Sequence, residues 1–410
     1  MTIQVGGPFR PRPGSTRLDS VTMTHLPPRP AIRPTRPRPT ENLTLVEAIA
    51  PNWFAAVMGT GIIATAAVAL PRGLSTTPGV RDFAVGAWLL ATTMLVLMTG
   101  AFAAQWISHR DRARSHHRHP VVAHFYGAPP MALLTVGAGT LLVGEDVIGA
   151  HAAVTVAWTL WLIGTALGLA SALAVPYWHI TGALGDDSRR PDAAFGGWLM
   201  PVVPPMVSAA TGAALLPHVP AGQPRLTLLL TLYGLFGISL IASGLVVTQL
   251  WGRLLRHGLP PAKLVPTLWI VLGPLGQSVT AANAVGRRAD LAVTDPLATA
   301  LRTLGAVYGL PVLGFALLWA VLSLTLTLRT ARTAPGLPFA PTWWAFTFPV
   351  GTCVTGAAGL ASATGAQALE WLAVALFTGL LTGWIVAAAG SLNAWRTARH
   401  PVAPAWAYTI

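Results

Sequence analysis

Four prolines recur at nearly constant spacing inside apolar stretches of this 410-residue chain. They are Pro129, Pro204, Pro274 and Pro349, at steps of 75, 70 and 75 residues. A repeat of this length constrains the architecture before any single motif does, because a repeated unit is stacked on copies of itself. Each unit is long enough for two helices. The spacing therefore predicts a chain built from tandem helical hairpins.

A threonine follows each of these prolines by six or seven residues, and a further threonine lies one step earlier in the chain. The five threonines are Thr60, Thr135, Thr211, Thr280 and Thr355. Equivalent positions in repeated units lie at equivalent depth, so the pattern predicts five units with their threonines at one level around a common axis. Ordinary packing is the alternative for any one of them, since a helical threonine often bonds a carbonyl one turn back.

The composition favours a membrane protein. Hydrophobic residues make up 53% of the chain and charged residues 10%, whereas soluble domains have roughly 25% charged residues. A helix needs about 20 apolar residues to cross a bilayer. Ten segments meet this requirement, at residues 53–70, 83–106, 121–143, 152–175, 195–216, 226–250, 264–286, 298–328, 342–363 and 371–392. The sequence predicts an all-α polytopic membrane protein, with ten transmembrane helices in five tandem hairpins forming one domain over residues 46–395.

The odd-numbered and even-numbered spans differ in composition. Spans 2, 4, 6 and 10 lack proline, whereas spans 3, 5, 7 and 9 combine the repeated prolines with glycines and hydroxyls. A proline frees a backbone carbonyl, and such irregular backbone is tolerated at membrane depth where it lines a wet cavity or is buried in protein. The pattern predicts kinked odd helices around a pore, with the prolines as kinks and the even helices outside. Span 8 departs from it, with Pro311 and Arg302.

Candidate pore-lining residues are the five threonines and other small or polar residues of the odd spans. These others are Gly59, Gly61, Ser208, Gln277 and Thr352. No Asp, Glu or Lys lies in the central part of any span. This absence disfavours a proton relay, an acidic cation filter and an intramembrane enzyme, so we expect no catalytic residues. A neutral lining of hydroxyls and amides suits an anion that is held weakly.

The net charge of +13 has the distribution of a membrane protein and does not indicate a nucleic-acid partner. With a cytoplasmic N-terminus, 20 of the 26 Lys and Arg fall in inward segments, as the positive-inside rule expects. We expect a multi-pass protein of the cell membrane, plasma or inner, with both termini cytoplasmic. Residues 1–45, rich in Pro and Arg, are predicted to form a disordered tail, and residues 396–410 a short second tail.

The histidines and the one cysteine are not interpreted as a site. Residues 109–119 hold four histidines among arginines. Like charges nearby disfavour a metal ion, so this segment is interpreted as a solvated basic loop. Cys353 has no intrachain partner for a disulfide and is interpreted as a packing residue. We expect no metal and no cofactor.

Several segments, by their order and spacing, resemble one transporter family. They are Pro51-Asn-Trp-Phe-Ala-Ala-Val-Met-Gly-Thr-Gly61, the Pro-Pro-Met stretches of spans 3 and 5, Gly273-Pro-Leu-Gly-Gln-Ser278 and Trp343-Trp-Ala-Phe-Thr-Phe-Pro349. The chain is similar over residues 45–395 to the tellurite-resistance/dicarboxylate transporter family, which includes bacterial tellurite-resistance proteins, fungal malate and sulfite permeases and plant slow anion channels. The resemblance implies five hairpins around a pore, a homotrimer with a path in each subunit, and a phenylalanine gate in span 9. By position the gate is Phe348, with Phe346 as the alternative.

The expected function is the transport of small anions through a pore within each subunit. By resemblance, C4-dicarboxylates such as malate come first, with sulfite and other inorganic anions next. The alternative is a coupled carrier, a proton-linked dicarboxylate or sulfite exporter that works by alternating access. A membrane scaffold without transport is a third class, and it would make the threonine repeat an accident.

Overall fold

The computed structural model describes residues 45–398, so the predicted tails lie almost entirely outside the described residues. Within that range the chain is helical and contains no strand. Long helices alternate with shorter ones along the chain. In order, the helices that build the bundle are α1 (Phe54–Ala69), α2 (Pro78–Ser108), α3 (Ala128–Gly139), α4 (Ala150–Thr181), α5 (Pro204–Gly212), α6 (Gln223–His257), α7 (Leu272–Arg287), α8 (Leu297–Arg332), α9 (Phe348–Thr364) and α10 (Gln367–Ala398).

Each odd-numbered helix is preceded by a 3-10 segment. The five segments are Pro51–Trp53, Val122–Gly127, Gly196–Leu199, Ala262–Val271 and Pro341–Phe346. The repeated prolines lie in the first turn of the α-helix that follows, for example Pro204 as the first residue of α5 and Pro349 as the second of α9. Proline is tolerated there because the first amides of an α-helix lack an intrahelical acceptor. The prolines therefore mark a change of helix type near the start of each inner helix.

Contacts between the odd-numbered helices close a ring. Helix α1 contacts α3, α3 contacts α5, α5 contacts α7, α7 contacts α9, and α9 returns to α1. Each even-numbered helix contacts the odd helix before it and the odd helix after it, with α10 reaching back to α1. Close approach within the ring depends on small residues. A side chain at Gly276 of α7, for instance, would collide with the backbone of Cys353 on α9.

The two sets of helices bury different amounts of apolar surface. The inner helices are mostly buried, whereas the outer helices expose large apolar side chains such as Leu97, Leu173 and Ile241. Exposed apolar surface of this extent is typical of helices that face lipid. Among the described residues, nine helical segments are long and apolar enough to cross a membrane. The chain is therefore a multi-pass membrane protein.

The span predicted at residues 195–216 is not among these nine segments. It is divided into Gly196–Leu199, the short helix α5 and a 3-10 segment, Ala213–His218. The ten-span topology remains a prediction at this point of the chain, because no single continuous helix of spanning length lies there.

The segment predicted as a solvated basic loop is an ordered helix, Arg110–Arg118. Its His116 is only 6% exposed, and its ring stacks on Phe102 with 6.5 Å between centroids. His117 lies between Tyr126 and Trp178, at 4.8 and 5.0 Å. The sequence interpretation of this segment is wrong, because neutral imidazole rings pack on aromatic rings and bury one face of the helix.

Candidate anion pathway

The five inner segments meet at one narrow cavity of about 20 Å³. Each contributes a lining residue at or near the change from 3-10 to α-helix. One from each segment is Met58, Met131, Val203, Gly273 and Phe348. We call this space the central cavity. It lies within the ring, is mostly apolar, and is surrounded by every repeat of the chain.

The structure separates the two phenylalanines that the sequence left as alternatives. Phe348 is 2% exposed and lines the central cavity. Phe346 lies outside that lining, with its ring 5.7 Å from that of Trp269 and 6.1 Å from that of Trp343. Its backbone also lies against Gly383 of the outer helix α10. Of the two, Phe348 lines the central cavity, and which of them gates the path stays a prediction.

Two of the repeat threonines meet where α7 contacts α9. Thr280 and Thr355 share a hydrogen bond of 2.8 Å between their hydroxyls, and both side chains are half-buried. The Thr280 hydroxyl also contacts the carbonyls of Gly276 and Thr352, at 3.0 and 3.2 Å. Thr352 is fully buried, and its hydroxyl lies 3.2 Å from the Leu272 carbonyl of α7, so it belongs to the helix contact.

Thr60 has a different environment. Its hydroxyl accepts a hydrogen bond of 2.9 Å from the indole of Trp384 on α10 and donates to the Ala56 carbonyl at 2.8 Å. It also lies 3.8 Å from the sulfur of Met94 on α2. Met58, two residues earlier, lines the central cavity. Two residues correspond to a rotation of about 200° in an α-helix. The Thr60 side chain therefore lies among the outer helices, and its hydroxyl serves packing.

The other predicted lining residues fall mainly at helix contacts. Gly59 lies against Thr347 and Trp344, and Gly61 against the methyl group of Thr135. Ser208 is fully buried and accepts a hydrogen bond of 2.9 Å from Thr165 on α4. Thr211 is half-buried and donates to the Val207 carbonyl at 2.8 Å. The repeat thus places its threonines in unlike surroundings, and a common lining role for all five stays a prediction.

Gln277 is a buried polar residue on α7, one turn after the cavity-lining Gly273. It is 4% exposed, and its Oε1 has no hydrogen-bond partner among the described residues. Buried polar atoms are nearly always paired, so an orphaned one at this place requires water or a ligand for its satisfaction. The lining role predicted for Gln277 stays a prediction, since Gln277 is not among the residues that line the central cavity.

No charged side chain of the described residues lines the central cavity. Asp and Glu side chains are exposed wherever the structure describes them, and none lines the central cavity. At the far end of α7, however, Arg287 is half-buried and donates to the Gly359 carbonyl of α9 at 3.3 Å. From the sequence alone, Arg287 is one of the Lys and Arg residues that fall outside the inward segments, because its contact with another repeat is a tertiary feature. The methionines of the lining were also missed, since apolar residues in an apolar span carry no signal.

A closed ring of inner helices, surrounded by apolar outer helices and enclosing a central cavity, defines a polytopic membrane protein. Residues 48–392 match the family of SLAC1 voltage-dependent anion channels, and the chain belongs to this family. Its members and the relatives below are channels and transporters. The chain is accordingly a transporter of small anions.

The chain is similar to transporters from archaea and fungi. An uncharacterized transporter of Methanocaldococcus jannaschii is 29% identical over 313 residues, which cover 76% of this chain and 83% of the relative. A second uncharacterized transporter of that organism is 24% identical over 343 residues, or 83% of this chain and 93% of the relative. The sulfite efflux pump SSU1 of Trichophyton rubrum is 27% identical over 311 residues, or 74% of this chain and 80% of the pump.

Proposed function

We propose that this protein conducts small oxyanions, sulfite first among them, along the axis of the inner ring by a channel or uniport mechanism. The observation that carries the proposal is the central cavity, which borders all five inner segments and contains Phe348. The similarity to sulfite efflux pumps supports sulfite as the leading substrate. C4-dicarboxylates such as malate, suggested by the sequence resemblance, are the comparison substrates.

The chemistry of the path supports weak, reversible binding of anions. Its polar groups are neutral along most of its length, namely the hydroxyls of Thr280 and Thr355 and the amide of Gln277. Neutral donors replace part of the hydration shell of an anion without holding it by an opposite charge, which permits release. The absence of a carboxylate from the cavity lining removes the repulsion that an anion would otherwise meet.

Phe348 is proposed as the gate. A Phe ring in a narrow apolar cavity offers an ion no replacement for the water that it sheds, so it forms a barrier to conduction. A change in the rotamer of Phe348, or a small movement of α9 at its 3-10 junction, would open the path.

We place the protein in the cell membrane with both termini cytoplasmic and assign it a homotrimeric assembly. The distribution of Lys and Arg supports the orientation, and the family resemblance supports the trimer. Cysteines that replace Asp146 and Asp290 should react with an impermeant reagent on intact cells, and one that replaces Arg114 should not. The native Cys353 is 2% exposed and gives little background. The opposite labelling pattern would reject this orientation.

Flux measurements in proteoliposomes test the function. Purified protein should pass sulfite, with malate, nitrate and chloride as comparison anions, and should show conductance in planar bilayers that does not require a pH gradient. Saturating flux without conductance, driven by a proton gradient, would instead favour the coupled carrier. An absence of flux for all four anions, from protein that remains folded, would reject the proposed function.

A further inference from the structure

Helix α7 carries a stripe of three residues along the ring. Gly273 lines the central cavity, Thr280 bonds Thr355 of α9, and Arg287 bonds Gly359 of α9. The residues are seven apart. Seven residues make nearly two turns and displace a side chain by only about 20° around the helix. The stripe therefore runs from the cavity to the C-terminal end of α7, where it ends in a guanidinium.

The guanidinium of Arg287 lacks an ion-pair partner. Within residues 45–398, no salt bridge joins Arg287 or its neighbour Arg288 to a carboxylate. The acid closest in sequence, Asp290, pairs with Arg302 at 3.5 Å. Both Arg287 and Arg288 are half-buried. Two adjacent arginines that are partly removed from water repel each other, and an anion between or beside them would relieve that repulsion.

Within the described residues, Arg287 donates a hydrogen bond to one protein acceptor. A guanidinium has five N–H donors, and the Gly359 carbonyl takes one of them at 3.3 Å. This bond holds the side chain against α9 and leaves the remaining donors for a ligand. The planar fork suits two oxygens of one oxyanion at the same time, a geometry that a halide lacks.

We propose that Arg287 forms an oxyanion-binding site at the C-terminal mouth of the anion path, and that this site sets the preference for oxyanions over halides. The inference rests on the proposed function, because it assigns a ligand to the same path. This binding role of Arg287 differs from a purely structural role, in which an arginine at a helix C-terminus stabilises the last carbonyls. A structural role alone affects stability and leaves selectivity unchanged.

The test compares Arg287→Gln, Arg287→Lys and the matched control Arg302→Gln in proteoliposomes. Arg302 lies near the same end of the ring, on the neighbouring helix α8, and its Asp290 partner is exposed. We expect Arg287→Gln to raise the half-saturating sulfite concentration by roughly tenfold, the equivalent of about 1.4 kcal/mol. Chloride flux should change much less. Arg287→Lys keeps the charge but loses the planar fork of donors. Its half-saturating sulfite concentration should lie between those of Arg287→Gln and the wild type.

Binding is measured separately from flux. Sulfite should raise the unfolding temperature of the wild-type protein in detergent, and this increase should be lost in Arg287→Gln and kept in Arg302→Gln. If Arg287→Gln unfolds at a lower temperature but keeps the wild-type sulfite dependence and selectivity, the site is rejected and Arg287 is a helix cap. Equal effects of Arg287→Gln and Arg302→Gln on sulfite binding and flux would also reject the proposed oxyanion site. A wild-type protein that binds sulfite through Arg287 but passes no anion would reject the proposed function and leave the site intact.

Discussion

The hydroxyl oxygens of Thr280 and Thr355 lie 2.8 Å apart, although 75 residues separate them in the chain. This separation is one repeat. The hydrogen bond therefore joins equivalent positions of adjacent units, on α7 and α9, which are neighbours in the inner ring. Thr280, which belongs to the stripe from Gly273 to Arg287, therefore meets a half-buried hydroxyl of the adjacent repeat.

Replacement of Thr280 by Val should reduce sulfite flux several-fold and lower the free energy of unfolding by about 1 kcal/mol, the usual value of one hydrogen bond. Thr231→Val on α6 is the matched control. Thr231 makes a similar bond to the carbonyl four residues earlier, at 2.8 Å, but on an exposed face. Equal flux in Thr280→Val and Thr231→Val would show that the Thr280 hydroxyl has no part in conduction.

Phe348→Ala should increase anion flux, because it removes the ring that fills the central cavity. Phe346→Ala should leave the flux per folded protein near the wild-type value and should destabilise the protein, since the Phe346 ring packs on Trp269 and Trp343. Flux assays and thermal unfolding distinguish the two effects. Higher flux in Phe346→Ala alone would assign the gate to Phe346. Unchanged flux in both folded variants would reject a gate at either phenylalanine.

Thr60→Val should destabilise the protein by about 1–3 kcal/mol, because it leaves the indole N–H of the half-buried Trp384 without its acceptor. Thr60→Ser keeps the hydroxyl and should retain most of the stability. We expect little change in the ion selectivity of either variant, since the Thr60 side chain lies among the outer helices. A change in ion selectivity without a loss of stability would indicate that Thr60 lines the pore.

Acid should destabilise the protein through His116. Burial lowers the pKa of His116 to about 4 from 6.5, and the nearby charges of Arg112, His117 and His119 act in the same direction. Between these two values the unfolded chain binds more protons than the folded one. The contribution of His116 to stability is therefore complete above pH 6.5 and is lost as the pH falls toward 4.

The measurement is the unfolding temperature as a function of pH in detergent. His116→Phe keeps a ring against Phe102 and should flatten the decrease between pH 6.5 and 4. Burial also lowers the pKa values of His117 and His119, so part of the decrease should remain. The exposed His151 provides the control variant, His151→Phe, with an unchanged curve. A His116→Phe curve identical to that of the wild type would contradict the assignment.

The sequence by itself determined the helical class, the membrane setting and the alternation of two kinds of helix. Apolar content and span length are enough to predict the helical class and the membrane setting, since a bilayer requires long apolar helices of any helical chain that crosses it. The recurrence of Pro129 and its three equivalents indicated the hairpin repeat, because a proline has the same backbone consequence wherever it occurs.

Only the tertiary structure decided which side chains contact one another across the repeats. Repeat spacing treats Thr60 and Thr280 as equivalent, yet Trp384 binds one and Thr355 the other. Phe346 and Phe348 differ in sequence only by position, and the contact of Phe346 with Trp269 separates them. Arg287 appears as a span-end charge until α9 brings Gly359 beside it. Periodicity fixes the spacing of residues along one helix, whereas the rotation of that helix depends on packing against neighbours that are distant in the chain.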